Sequence, residues 1–207
     1  MPNKKKKTGQ ILKKRAKRTQ KSIKVRIFRW VFTMAVLMTV GCVVAAISVY
    51  VYLSGDLPKI SKLADYRPPL ITTVFSDDGR KIGEFYKERR ILVPLSSIPE
   101  MLKQAFVAAE DARFYKHEGV DFLSIIRAFI KNLEAGAIVQ GGSTITQQVT
   151  KSFLLTPERS YTRKLKEAIL AYRIDKSFSK EEVLFLYLNQ IYLGHGAYGV
   201  EAASENY

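Results

Sequence analysis

The sequence is poor in the residues that build metal and redox centres. It has one cysteine, Cys42, and two histidines, His117 and His195. A lone thiol inside an apolar run excludes a disulfide framework and a cysteine-based metal set. His117 has no histidine partner beyond His195, so no dedicated metal site is expected. Acidic residues are missing from positions 1–29, where thirteen lysines and arginines stand. The rest of the chain holds 21 basic and 19 acidic residues, so the formal net charge of +15 belongs to a tail and not to a basic domain. No nucleic-acid partner is expected, because such a run beside a membrane span serves topology and anionic lipid. No internal repeat is visible.

Charge of either sign is also missing from Trp30 to Leu53, 24 residues flanked by Arg29 and Asp56. At about 1.5 Å per residue this run spans roughly 36 Å, enough for a hydrocarbon core of about 30 Å. Trp30 at one end, with Tyr50 and Tyr52 at the other, suits the two interfaces. The run is long for a signal peptide, and no small-x-small cleavage site follows it. The expectation is one transmembrane helix over 30–53, with a basic cytoplasmic tail at 1–29 and everything after Asp56 outside. Residues 54–70, with Pro58, Pro68 and Pro69, read as a linker.

Beyond the linker, Ile71–Phe75 is rich in β-formers and Ser76-Asp77-Asp78-Gly79 is a turn. Ile82–Tyr86 follows, with Arg90–Val93 able to pair back. From Ser96 the pattern becomes helical. Ser97-Ile98-Pro99 opens a helix carrying Leu102, Ala105, Phe106 and Ala109 on one face. A second helix, about Asp121 to Glu134, has the apolar stripe Phe122, Ile125, Ile126, Phe129, Ile130 and Leu133, and Gly136 ends it. Gly141-Gly142 breaks the chain before a short helix near Thr144–Phe153. Thr156-Pro157 opens the next, to about Asp175. Ser179-Lys180-Glu181-Glu182 is a capping box for a helix reaching Asn189. Gly194, Gly196 and Gly199 punctuate a loop. The last residue, Tyr207, follows no stop signal, which predicts a domain cut short at its C-terminus.

Three places hold residues suited to chemistry. Glu110-Asp111 closes an apolar helical stretch, where desolvation would suit a carboxylate to general acid or base work. A solvated helix-end acid is the simpler alternative. In the helix after Ser143, Thr144, Gln148 and Lys151 share a polar face opposite Ile145, Val149 and Phe153. That face could line a groove for sugars or a phosphate, or be plain solvated surface. Arg159, Arg163 and Glu167 fall four residues apart on one stripe. They could hold a pyrophosphate, or form a surface ladder of little energetic weight.

Taken singly none of these is specific, but their order is. Glu-Asp-x-x-Phe-x-x-His-x-Gly (110–119) is followed by Gly-Gly-Ser-Thr-Ile-Thr-Gln-Gln (141–148) and Arg-Lys-x-x-Glu (163–167). Lys-x-x-Val-Leu-x-x-Tyr-Leu-Asn (180–189) and Gly-Ala-Tyr-Gly-Val (196–200) complete the series. Over roughly residues 70–207 this resembles the five-motif glycosyltransferase domain, glycosyltransferase family 51, of class A penicillin-binding proteins and monofunctional peptidoglycan glycosyltransferases. Phe185 stands where that family usually has an acid. The Asp78-Gly79 hairpin resembles the class A version, which implies an N-terminal piece of a bifunctional enzyme with a transpeptidase after it.

The resemblance implies a mainly α, lysozyme-like fold with a small β element, a small lobe near the membrane and one preceding transmembrane helix. It implies polymerisation of lipid II onto a growing lipid-linked glycan chain, with inversion and release of polyprenyl pyrophosphate. Glu110 matches the general base and Glu167 the second essential acid. Lys151 and Arg159 match positions that neutralise the pyrophosphate, with Arg163 supporting them. Ser143, Thr144, Gln147 and Gln148 resemble groove residues, and Asp111 and Phe114 join the expected substrate-binding set. Phe114 and His117 would shape the loop after Glu110. No tightly bound cofactor is implied, though magnesium or manganese could accompany the pyrophosphate. The implied location is the bacterial cytoplasmic membrane, with other cell-wall synthesis proteins as partners. Two rivals remain: a lysozyme-like glycan-cleaving enzyme, which needs no cation cluster, and a non-catalytic membrane scaffold.

Overall fold

The computed structural model describes residues 3–64, 68–156 and 160–207. It forms two compact units, residues 1–52 and 53–207.

The first unit is one helix, α1, which runs Asn3–Ser54 and ends in the second unit. Its segment Val25–Ser54 has a mean hydropathy of 2.3 and is long and apolar enough to cross a membrane. Between Phe28 and Tyr52 nearly every large apolar side chain is exposed, which suits lipid and not water.

The second unit is mainly α. It opens with a short helix, α2 (Ser61–Ala64), and an antiparallel hairpin, β1 (Thr72–Phe75) with β2 (Lys81–Phe85). Ser76 and Gly79 make the turn, and the positive φ of Gly79 is what its tightness requires. The expected return of Arg90–Val93 onto this hairpin is not what forms. Instead β3 (Arg89–Arg90) pairs in parallel with β4 (Ala197–Tyr198). The reason lies in the arginines. Arg89 is buried against Glu84, Glu205, Asn206 and the Ala202 carbonyl, and Arg90 lies over the Tyr198 ring. Partners so distant in the chain outweigh a local hairpin. The Gly194–Gly199 region is therefore more than a loop: it contains β4 and leads into α8 (Val200–Ser204).

Five longer helices form the body: α3 (Glu100–Glu110), α4 (Phe122–Ala135), α5 (Ile145–Leu154), α6 (Tyr161–Ser177) and α7 (Lys180–Gln190). Their ends follow the residues available. Asp121 caps α4 by accepting from the Leu123 and Ser124 amides, and Gly136 ends it at φ 64. Thr144 with Gln147, and Ser179 with Glu182, are complete capping boxes for α5 and α7. The expected start at Thr156-Pro157 is not the start of α6: Ser160 caps it, and Pro157, Glu158 and Arg159 lie outside the described residues.

The core is built by α5, α6 and α7, with Ile145, Val149, Ile174, Val183, Leu184 and Leu188 at its centre. The apolar stripe of α4 behaves differently. Phe122, Ile126, Phe129 and Leu133 are all more than half exposed, and Ile138 and Val139 after it are as open. A contiguous exposed apolar face of this kind marks an interaction surface.

Candidate active site

The C-terminus of α3, one face of α5 and the first turns of α6 converge on an open cleft of about 630 Å³. Glu110, Asp111, Ser143, Thr144, Gln148, Lys151, Arg163 and Glu167 all line it. Residues from three separate motifs thus reach one place.

Glu110 is the last residue of α3, and its carboxylate is exposed to the cleft. The desolvation suggested by its apolar neighbours is not what surrounds it. Its Oε2 accepts a hydrogen bond from Gln148 Nε2 at 2.8 Å, so the groove helix α5 orients it directly. Asp111 turns away from solvent. Its Oδ2 accepts from the Ile145 amide at 3.1 Å and lies 2.9 Å from His117 Nε2. The pair joins the end of α3 to the start of α5.

Glu167 is only 2% exposed. A buried carboxylate rules out the surface ladder as an account of this stripe. It is held by Arg163 Nη1 at 3.2 Å and by the Lys164 ammonium, which also donates to Ser143 Oγ at 2.9 Å. Two cations are thereby fixed on one wall. Lys151 stands exposed on α5, and no ion-pair partner for it occurs among the described residues.

Other expected contacts fall elsewhere. Phe114 is fully buried, and its ring faces Lys180 rather than the cleft. Gln147 is buried by its capping role. Thr144 spends its hydroxyl on the Gln147 amide and on the Gly119 carbonyl, to which it donates at 2.6 Å. Of these three only Thr144 reaches the cleft, and its hydroxyl is already engaged. Arg159 lies outside the described residues.

Lining residues that were not expected include Lys164, Ser124 and Arg127. Lys164 precedes Glu167 by three residues, a helical neighbour as informative as Arg163. Ser124 and Arg127 stand i,i+3 on the polar side of α4. Ser124 also donates to Asp121 Oδ2 at 2.6 Å. Burial pushes the Asp121 carboxyl up, but the Ser124 hydroxyl and amide, with Arg113 nearby, outweigh it and hold it below the usual carboxylate range.

Among the described residues, no three His, Cys, Asp or Glu side chains gather as a metal site.

The chain has clear relatives among known proteins. Residues 78–207 match the family model described as "Transglycosylase". Penicillin-binding protein 1A of Rickettsia felis is 52% identical over 176 residues, covering 84% of this chain and 22% of the relative. Penicillin-binding protein 1A of Rickettsia bellii is 49% identical over 177 residues, again 84% and 22%. That of Neisseria flavescens is 50% identical over 151 residues, 73% and 19%. The chain thus spans about a fifth of the length of these relatives. With a family match over most of the chain, and a cleft built from the residues of its motifs, the chain belongs to the transglycosylase family.

Proposed function

We propose that the chain carries a peptidoglycan glycosyltransferase that lengthens glycan strands from lipid II, a disaccharide-pentapeptide on a polyprenyl pyrophosphate. The observation that carries this reading is the placing of Glu110 in one cleft with Lys151, Arg163, Lys164 and Glu167. A base and a cation cluster are the two things the transfer needs.

In this reading Glu110 takes the proton from the GlcNAc 4-hydroxyl of the acceptor, and Gln148 keeps its carboxylate aimed. The freed oxygen attacks the anomeric carbon of the lipid-linked chain from the face opposite its pyrophosphate. The carbon–oxygen bond to the pyrophosphate breaks with inversion. The departing oxygen gains negative charge, which Lys151, Arg163 and Lys164 offset. Arg159 belongs to this set only by the family resemblance. Glu167 keeps Arg163 and Lys164 in place. A magnesium or manganese ion, if it takes part, would ride on the pyrophosphate oxygens, since the described residues offer no cage for it.

Both substrates are lipids, so a tether through α1 would replace a three-dimensional search by a surface one. The open apolar face of α4 is the kind of surface that a lobe close to a bilayer needs. We place the protein in the bacterial cytoplasmic membrane, single-pass, with the basic tail cytoplasmic by the positive-inside rule and with cell-wall synthesis proteins as its partners. A glycan-cleaving enzyme would have no use for the cation cluster.

The test is polymerisation of lipid II by variants that remain folded. Glu110→Gln is expected to lower the rate about a hundredfold or more, the scale of a lost general base. Lys151→Ala is expected to slow the same reaction through its leaving group. A near-normal rate for Glu110→Gln would refute its role. Release of muropeptides from purified peptidoglycan, without polymer formation, would favour cleavage instead.

A further inference from the structure

Glu110 is exposed, and the hydrogen bond that orients it comes from a single side chain, Gln148. One bond to an exposed group fixes a carboxylate weakly. Its placement therefore rests on the backbone either side of it, the helix α3 that it ends and the segment that follows, residues 111–119. Asp111 holds the start of that segment to Ile145 and His117. Gly119 holds its end, accepting from Thr144 and packed so close to α6 that an added Cβ would lie 2.4 Å from the Ala171 carbonyl oxygen.

Between these anchors the His117 carbonyl takes its donor from outside the cleft. Lys180, the first residue of α7, places its Nζ 2.7 Å from that oxygen, 2.5 Å from Asp175 Oδ1 and 4.7 Å from the centre of the Phe114 ring. The Lys180 and Asp175 side chains are mostly buried. A carbonyl, a carboxylate and a ring face thus surround one ammonium, and two of the three belong to the segment after Glu110. The helix that carries Lys180 has its own support. Its N-terminus is closed by the Ser179–Glu182 box, and Val183, Leu184, Tyr187 and Leu188 bury it.

We propose that Lys180 is a positioning residue for proton transfer at Glu110. Through the His117 carbonyl and the Phe114 ring it fixes residues 111–119, and so sets where the Glu110 carboxylate stands relative to Lys151 and Glu167. The proposal rests on the reading of Glu110 as the base.

The experiment compares Lys180→Met and Lys180→Arg with the parent chain, and runs Glu110→Gln beside them. In Lys180→Met, amide hydrogen exchange over 111–119 should speed up about tenfold or more, while amides of 183–190 stay within about twofold. In lipid II polymerisation kcat should fall about tenfold or more with KM within about twofold, because misplacement of a catalytic group shows in the chemical step. Lys180→Arg, which keeps a charged donor for both oxygens, should recover most of both effects. Unchanged exchange over 111–119 overturns the proposal. So does an unchanged kcat in Lys180→Met where Glu110→Gln is inactive. Should Glu110→Gln keep its rate, the base assignment is what fails, and the exchange data alone decide whether Lys180 clamps the segment. If the methionine variant does not fold, Lys180→Gln, which keeps one donor, takes its place with the same criteria.

Discussion

At the scale of single residues, Glu167 is the clearest case of energy tied to function. Its carboxylate is buried between Arg163 and Lys164, so removing it strands two cations that it holds. Glu167→Ala is expected to cost about 2 kcal/mol of stability, below the usual figure for a broken buried pair because Lys164 is half exposed. Urea unfolding measures it as a lower midpoint at unchanged slope. The spacing of Arg163 and Glu167 was legible in the sequence, but their burial was not. Periodicity tells which residues share a helical face and not whether that face meets solvent or a wall. Glu110 shows the opposite failure. Its apolar neighbours suggested a desolvated acid, yet the helix ends at the cleft and leaves it open.

At the scale of elements, four caps were legible because they are local, whereas the starts expected at Ser97 and at Thr156-Pro157 lie instead at Pro99 and Ser160. Asp121, Gly136, Thr144 and Ser179 end or begin helices by bonds to residues within a few positions. Asp121 gives this a pH signature. Its carboxyl is held below the usual range in the folded protein, so its contribution is present above the unfolded value of about 3.9 and is lost as pH falls through the lower folded value. The parent protein should therefore lose stability on going from pH 5 to about pH 3 more steeply than Asp121→Asn. Thermal unfolding across that window checks it, and parallel curves would remove Asp121 as the source. What stayed hidden in the sequence was non-local. Two-residue strands carry no periodicity, and β3 finds β4 only because Arg89 and Arg90 have their partners near the end of the chain. The open stripe of α4 was read correctly as a stripe, but nothing in its pattern says that this unit leaves it exposed.

At the scale of the whole molecule, the boundary at residues 52 and 53 has practical weight. Leu53 is buried in the second unit, Ser54 accepts from Arg173, and Asp56 pairs with Lys166 at 2.6 Å. The residues leaving the apolar helix are thus part of the globular unit. A soluble version beginning at Leu53 should keep these contacts, whereas one beginning at Pro58 loses them. Exposing a leucine site costs about 1.5–3 kcal/mol. For a unit of this size that is roughly 3–12 °C in Tm, read by differential scanning calorimetry of the two versions side by side. A linker with three prolines suggested a passive tether here, because composition cannot show that its first residues are used as packing.

Gly119 carries a consequence for how this site can vary. Its φ is +82, and its Cα sits so close to the Ala171 carbonyl that no side chain has room. A change there would press on α6, which bears Arg163, Lys164 and Glu167, and pull on the segment that follows Glu110. Both sides of the cleft would shift through one methyl group. A saturation library selected for growth should therefore return glycine alone at this position, while the neighbouring exposed Glu118 drifts freely.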